Sequence, residues 1–547
     1  MRYYHLLALC GLSLASAANT NPQIKADIRA DSNRDGRVDL QGSSDVISKT
    51  QWTERSGAIF LPNIGDTDRR CSKKALTPQY LAPLKTVPIT IVSKNAKGSV
   101  TVPDVTQRKF ELKTGLELGI DARNTRRPKV WDGRVTVHFN VQDGDVKSAD
   151  TVMLRVAPVL THHHLQKVEQ VLAVQGNKTD SPYLVDFTNT LNSIAKAAGL
   201  KKDLYLFNAS DDIWAQDFVE PGYASMPGPK GTVSIRIMIR CPQDERVAGR
   251  QLFEYYRKAG VGAVQHLGGK RDEINSGGNI EAIPPYTFKG KSWPAGRVIL
   301  GNHGKQRHHI LPYLEAQESQ NPLLLDTAWL SIGHVDEFLQ FLPAKNKRGW
   351  VAVIDDPLAA IMLLQETRKA GHGSLPAISR KNDTSSGPGD CGGFGCGPIT
   401  VNSPTIAQLL ADKKLMRLNE KCAQRIEGNI KIIKKEVGLT DQDIVRIPAL
   451  FKNSDFSDGD DSRLQVAAFF PGVVNNLVLT GYNTCVAPNP WGPVVKGKDI
   501  LAETISKKYA KIGMKVKFID DWNTHHNFGG EVHCGSNSIR DMAAKWW

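Results

Sequence analysis

The sequence has no apolar run long enough to anchor it permanently in a bilayer, no sustained basic block, and only eight cysteines among 547 residues. The first absence argues against a spanning helix, which needs about 20 consecutive apolar residues. The apolar stretch from Leu6 to Leu14 falls short of that. It follows Arg2 and precedes Ala15-Ser-Ala17, the layout of a signal peptide over residues 1–17. The expectation is a secreted, extracellular protein with no membrane anchor, and sequons at Asn177, Asn208 and Asn382 agree with it. The second absence argues against nucleic acid. The formal charge is +14, yet Lys and Arg are scattered and no aromatic platform interleaves them, so a basic secreted enzyme is the reading. The third absence makes each thiol informative. Cys10 leaves with the leader, and the seven that remain are Cys71, Cys241, Cys391, Cys396, Cys422, Cys485 and Cys534. Seven is odd, so at least one is free. Cys391 and Cys396 bracket Gly-Gly-Phe-Gly, a loop suited to a small disulfide, and the economical reading leaves Cys534 unpaired. The glycine-rich stretch 385–397 lacks the Lys-Ser/Thr of a phosphate loop and reads as surface.

At this length two or three domains are expected. Residues 18–158 read as an all-β immunoglobulin-like sandwich, with alternating runs at Val87–Val92 and Arg134–Val141 between Gly, Asp and Asn clusters. From 159 to 547, strand-like runs at Ser234–Ile239, Gly349–Ile354, Asn476–Leu479 and Lys515–Ile519 alternate with helical patterns. This predicts one large α/β domain. The clearest helix covers about 406–437, as one helix or as two broken near Asp412.

The chemistry gathers in separated runs. Cys534 stands in the Gly-bounded turn Glu531-Val-His-Cys-Gly. His334 and Asp336 are two residues apart and share a face if their run is a strand. Asp217, in Trp214-Ala-Gln-Asp-Phe-Val-Glu220, adds a second carboxylate. A guanidinium is a poor electrophile that must be held as well as attacked. Two carboxylates accept its N–H donors in forked geometry, and a thiolate is a strong nucleophile. One thiol, one imidazole and two carboxylates therefore suit attack on a cationic planar carbon.

Four runs, Trp214–Tyr223, Ser276–Glu281, Asp326–Phe338 and Gly530–Asn537, closely resemble in sequence and order those of the eukaryotic protein-arginine deiminases, over essentially all of 155–547. For residues 159–547 the resemblance implies a five-fold pseudosymmetric α/β-propeller, the pentein fold. It implies calcium-influenced hydrolysis of peptidyl-arginine to peptidyl-citrulline and ammonia through a covalent thiouronium, with an arginine-containing protein or peptide as partner. It makes Cys534 the nucleophile, His334 the general acid/base, and Asp217 and Asp336 the guanidinium clamps. Trp214 and Arg246 take substrate-binding roles. Ca²⁺ falls to Gln216, Glu220 and Glu281, with carbonyls around Gly277 and Ile280. A second calcium site of the family has an acidic residue where this chain has Phe218, so it is not expected here. Phe528 stands where vertebrate members place an active-site arginine. The N-terminal part is shorter than the family's, as though one of two immunoglobulin-like modules were absent. The rival readings are a pentein acting on free arginine or another small guanidino compound, and a calcium-dependent binding protein with a vestigial site.

Outside those runs, Asp31-Ser-Asn-Arg-Asp-Gly-Arg-Val-Asp39 has calcium-loop spacing, but position twelve is Gly42, which excludes an EF-hand. The readings are a weak Ca²⁺ loop using Asp31, Asn33, Asp35 and Asp39, or an Asx-rich turn. His162-His163-His164 reads as a surface linker, because adjacent residues of an extended chain point opposite ways.

Overall fold

The computed structural model describes residues 4–8, 24–64, 75–103, 105–107, 110–179, 181–208, 212–381, 401, 403–454 and 464–547. Cys10, Cys71, Cys391, Cys396, Asn382, the stretch 385–397 and most of the leader lie outside them.

The N-terminal region is all β, in two sheets. One has five strands, with Arg134–Asp143 paired along its full length to Val146–Val156. Val135, Val137, Phe139 and Val141 are buried while the residues between them face outward or sit at the margin, the period of two that makes this segment a strand. The expected strand at Val87–Val92 is not formed. The strand is Ala82–Thr86, and Pro88, which has no N–H for a ladder, lies just beyond it. This region does not have a core of its own. Its apolar side chains form one cluster with Leu160, Tyr223, Ile235, Val264, Tyr313 and Trp546 of the following region.

Residues 159–547 are α/β. Among the described residues, five mixed sheets share one internal pattern, in which a central strand has one antiparallel and one parallel neighbour. Val168–Val174 lies between Ser536–Arg540 and Tyr205–Phe207. Gly231–Arg240 lies between Val219–Gly228 and Val261–Gln265, and Arg297–Asn302 between Ile280–Ile283 and Leu323–Asp326. Trp350–Asp356 lies between Leu339–Pro343 and Ile444–Pro448. Thr484–Pro488 lies between Leu477–Leu479 and Lys515–Ile519. Parallel neighbours need a crossover, and helices such as Pro182–Ala198 and Ile500–Lys511 supply it. The predicted long helix is two, Ile406–Ala411 and Lys413–Val437. Asp412 breaks it by accepting from the N–H groups of Lys414 and Leu415, at 2.9 and 3.0 Å, as the cap of the second. The chain's last strand, Ser536–Arg540, pairs with Val168–Val174 near the start of this region, which ties the turn carrying Cys534 into the fold.

Candidate active site

The catalytic candidates and the turn Gly277–Asn279 occupy equivalent places in four of the five sheets, each just ahead of the strand that runs antiparallel to the central one. Asp217 lies on the short helix Ala215–Phe218 before Val219–Gly228. The turn Gly277–Asn279 precedes Ile280–Ile283. His334 and Asp336 precede Leu339–Pro343, on the turn that includes Val335–Glu337 rather than on a strand. Cys534 precedes Ser536–Arg540. Strand ends at one rim thus converge, although the residues are hundreds of positions apart in sequence.

All four side chains are buried. Cys534 Sγ is 3.6 Å from Asp336 Oδ2, to which its S–H points. His334 Nδ1 is 4.0 Å from Asp217 Oδ1. The His334 ring has its Nε2 2.8 Å from the Glu273 carbonyl oxygen. A carbonyl only accepts, so Nε2 carries the hydrogen and Nδ1 keeps its lone pair in the neutral ring. Burial by itself pulls His334 down, but Asp217, Asp336, Glu273 and Glu337 hold it above the ordinary histidine value. Burial lifts Asp217 to about 6, against the downward pull of Arg246 and His334. Burial, then the charges of Asp336 and Asp217, push the Cys534 thiol well up.

Three buried atoms lack a hydrogen-bond partner at this point: Asp217 Oδ1, Asp336 Oδ1 and His334 Nδ1. Gly278 packs closely against two of them. A Cβ there would lie 2.5 Å from Asp217 Oδ1 and 3.0 Å from His334 Nδ1. Two acceptor-only oxygens and a basic nitrogen without donors suit a planar cation that brings its own N–H groups.

Arg246 is buried. Its guanidinium bonds Asp212 at 2.6 and 3.2 Å, Gln243 at 3.0 Å, Ser276 at 2.7 Å and Asp217 Oδ2 at 3.1 Å. In this arrangement it braces one clamp from behind rather than reaching outward. Trp214 packs edge-on to His525, with ring centroids 5.3 Å apart, and closes against Gly530. Phe218 is fully buried and stacks edge-on to Phe207, so its position offers no oxygen to a metal.

Gln216, Glu220 and Glu281 are brought together. Gln216 Nε2 donates to Glu220 Oε2 at 3.1 Å, while Gln216 Oε1 is buried and unpartnered. Burial and the neighbouring Glu281 raise Glu220 well above the usual range, and burial lifts Glu281 to about 7. Two mutually repelling carboxylates beside an orphaned amide oxygen form a donor set that fits a hard cation. Gly277 lies against the Gln216 and Asp217 carbonyls, and its own carbonyl accepts from Ile280 N–H. In the N-terminal loop, Asp31 accepts from the N–H groups of Asp35 and Gly36, Asp35 from that of Arg37, and Asp39 from the Ser44 hydroxyl. Asn33 Nδ2 donates to Asp35. These are the bonds of an Asx-rich turn, and buried Asp45, which the sequence reading passed over, ties it together through Ser32 N–H and Asp39 N–H.

Two expectations are corrected. His162, His163 and His164 do not form a surface linker: all three are buried. The strand Leu160–Thr161 pairs with Val219–Gly228, which carries the following residues beneath the catalytic turn. There His162 stacks on Tyr223 and His164 meets the His533 ring edge-on at 5.8 Å. Nor is Cys534 the single unpaired thiol, since Cys241, Cys422 and Cys485 are free and buried as well. These three sit in strands, helices or their margins, where a small apolar side chain packs well.

Sequence reasoning missed Asn475 and His533. His533 Nδ1 is 2.8 Å from Asp336 Oδ2, and its Nε2 is 3.7 Å from Glu281 Oε1. Its place beside Cys534 was the available signal. Asn475 has no motif, and only the repeat of the five sheets picks it out.

The family model for "Protein-arginine deiminase (PAD)" matches residues 146–547. The chain is 32% identical to protein-arginine deiminase type-4 of Mus musculus over 418 residues, covering 73% of this chain and 56% of that one. It is 32% identical to the type-3 protein of Homo sapiens over 411 residues, with the same coverage. It spans about half the length of these relatives. Among solved structures, agmatine deiminase of C. jejuni superposes with a TM-score of 0.38 at 11% identity, over 70% of this chain and 96% of that one. The N-terminal domain of ArgZ, a cyanobacterial arginine dihydrolase, gives 0.34 at 10%, over 70% and 98%. Because the family match runs across all five mixed sheets and through Cys534, this chain belongs to the protein-arginine deiminase family.

Proposed function

We propose that the protein hydrolyses peptidyl-arginine to peptidyl-citrulline and ammonia. The observation that carries this reading is the set of buried, unpartnered atoms Asp217 Oδ1, Asp336 Oδ1 and His334 Nδ1, with Cys534 Sγ 3.6 Å from the Asp336 carboxylate. Asp217 already binds one guanidinium, that of Arg246, through its other oxygen. A substrate guanidinium takes the free oxygens of both clamps, which orients its carbon toward Sγ.

The resting thiol is protonated because it is buried between negative charges. An arriving guanidinium cancels those charges and makes the thiolate accessible. His334 Nδ1 takes the thiol proton, and Sγ adds to the guanidinium carbon to give a tetrahedral centre. His334 returns the proton to one amino nitrogen, the C–N bond breaks, and ammonia leaves a thiouronium on Cys534. Water then adds to that carbon, giving a proton to His334. Collapse expels the sulfur as thiolate, which regains a proton from the new hydroxyl, and His334 releases its proton to solvent as citrulline leaves.

The donor set of Gln216, Glu220 and Glu281, with the Gly277 and Ile280 carbonyls, is assigned to Ca²⁺. A bound calcium supplies positive charge that relieves the repulsion between Glu220 and Glu281 and steadies the short helix carrying Asp217. The repeated sheet pattern supports a five-bladed propeller for residues 159–547, and the paired β-sheets support an immunoglobulin-like sandwich for 18–158. The leader and sequons support secretion.

The test is mass spectrometry on an arginine peptide blocked at both ends, incubated with calcium or with a chelator, with Cys534→Ser as control. Citrulline is expected with the parent protein and calcium. The variant is expected to be at least about a thousandfold slower. No citrulline from folded parent protein, alongside turnover of free arginine, would replace this reading with a small guanidino substrate.

A further inference from the structure

The five-sheet repeat has one position not yet given a role. Ahead of Leu477–Leu479, where the other sheets place Asp217, the Gly277–Asn279 turn, His334 with Asp336, and Cys534, the remaining sheet places Asn475. Its amide is buried, and all of its bonding capacity is spent within the site. Nδ2 donates to Asp336 Oδ2 at 2.8 Å and to Cys534 Sγ at 3.2 Å. Oδ1 accepts from the backbone N–H groups of His533 at 3.0 Å and Cys534 at 3.2 Å. One side chain thus touches the nucleophilic sulfur, one guanidinium clamp, and the backbone that carries the sulfur.

We propose that Asn475 is a further catalytic residue, whose two amide hydrogens hold Cys534 Sγ in line with the Asp336 clamp while its carbonyl fixes the nucleophile's backbone. The inference rests on the deiminase reading for the identity of the reaction. The chemistry selects an amide at this position. Sulfur and carboxylate lie 3.6 Å apart and repel when the sulfur carries charge. A single neutral nitrogen with two hydrogens satisfies both at once. Aspartate at this place keeps acceptors for the two backbone N–H groups but brings no donor and adds a negative charge. Alanine loses all four bonds. If Asn475 only propped the turn, aspartate would preserve function; if its donors align the sulfur, aspartate fails as alanine does.

The experiment compares Asn475→Asp and Asn475→Ala with the parent protein by two readouts. The first is kcat and KM for citrulline formation from a blocked arginine peptide. The second, independent of turnover, is the rate at which chloroacetamidine, a small cationic amidine, alkylates Cys534, followed by intact mass. Both variants are expected to lose about a hundredfold in kcat, the scale for a donor on a reacting centre, with KM changed less than about threefold. Both are expected to alkylate about tenfold slower or worse. An aspartate variant that keeps kcat and the alkylation rate within about threefold of the parent overturns the proposal. Circular dichroism checks folding, and if the aspartate variant does not fold, Asn475→Ser, which is smaller and neutral, decides by the same criteria. If the parent forms no citrulline but alkylates, the deiminase reading fails, and the alkylation comparison still decides the role of Asn475. A parent whose Cys534 resists chloroacetamidine overturns both.

Discussion

Two buried polar clusters in this chain spend charge in opposite ways. Where the N-terminal sheets meet the α/β region, Trp52 has the Arg34 and Arg155 guanidinium carbons each 4.8 Å from its ring centroid and Arg126 at 5.7 Å. Trp546, from the last residues of the chain, stacks on Trp52 at 6.4 Å. Arg155 also pairs with Glu318 at 2.8 Å, and Trp546 Nε1 donates to the Ser225 carbonyl at 2.9 Å. The unpartnered atoms there are N–H donors, among them Arg126 Nη2 and Arg155 Nη2, beside aromatic faces that attract cations. At the active site the unpartnered atoms are acceptors. The first cluster faces its leftover donors with aromatic rings of the protein itself and joins its two regions. The second, on the proposed reading, is completed by the substrate's cation. Burial of charge alone therefore says little about function; the sign of what is left over says much.

The comparison breaks most sharply at a clamp. Asp336→Asn removes one negative charge while keeping the shape, and is expected to lower kcat/KM by about a hundredfold or more, with unfolding little changed. Steady-state kinetics beside a urea melt would check it. The reverse pattern is expected at the other cluster. Trp52→Ala leaves buried guanidinium groups without their aromatic face and is expected to destabilise the protein by about 3 kcal/mol. Its activity per folded molecule should be that of the parent, as read from active-site alkylation against turnover.

A further effect beside the active site is a slope against pH. His525 lies between Trp214 and Phe187, and burial lowers it to about 3, so it stays neutral in the folded state. Unfolding frees it to take a proton near the ordinary value of about 6.5. Its share of stability is whole above about pH 6.5 and falls as pH drops toward 3, by up to about 1.4 kcal/mol per unit. His525→Phe is expected to flatten the acid limb of unfolding free energy against pH by about one proton, a slope that denaturant melts at several pH values would measure.

Much of the site was legible in the sequence because its residues belong to contiguous runs. His334 with Asp336, and Gln216 with Asp217 and Glu220, announce themselves as neighbours, and Cys534 stands in a Gly-bounded turn; His533 beside it was missed. What the runs could not convey was tertiary. The three consecutive histidines looked like a polar linker because local spacing carries no information about a strand that draws them under the catalytic turn. Arg246 looked available, yet Asp212 and Asp217 hold it through a fold contact. Asn475 looks ordinary and is distinguished only by its place in a repeat of strand pairing, which five dissimilar sequences share. In the N-terminal region, the period of two at Arg134–Asp143 was plain, while Pro88 displaced the strand expected beside it.

The most direct test of the account is the structure of the Cys534→Ser variant bound to a blocked arginine peptide in the presence of calcium. The account predicts the substrate guanidinium between Asp217 Oδ1 and Asp336 Oδ1, above Gly278, with its carbon facing residue 534. A peptide seated elsewhere, or a guanidinium that leaves both of those oxygens unpartnered, would contradict it.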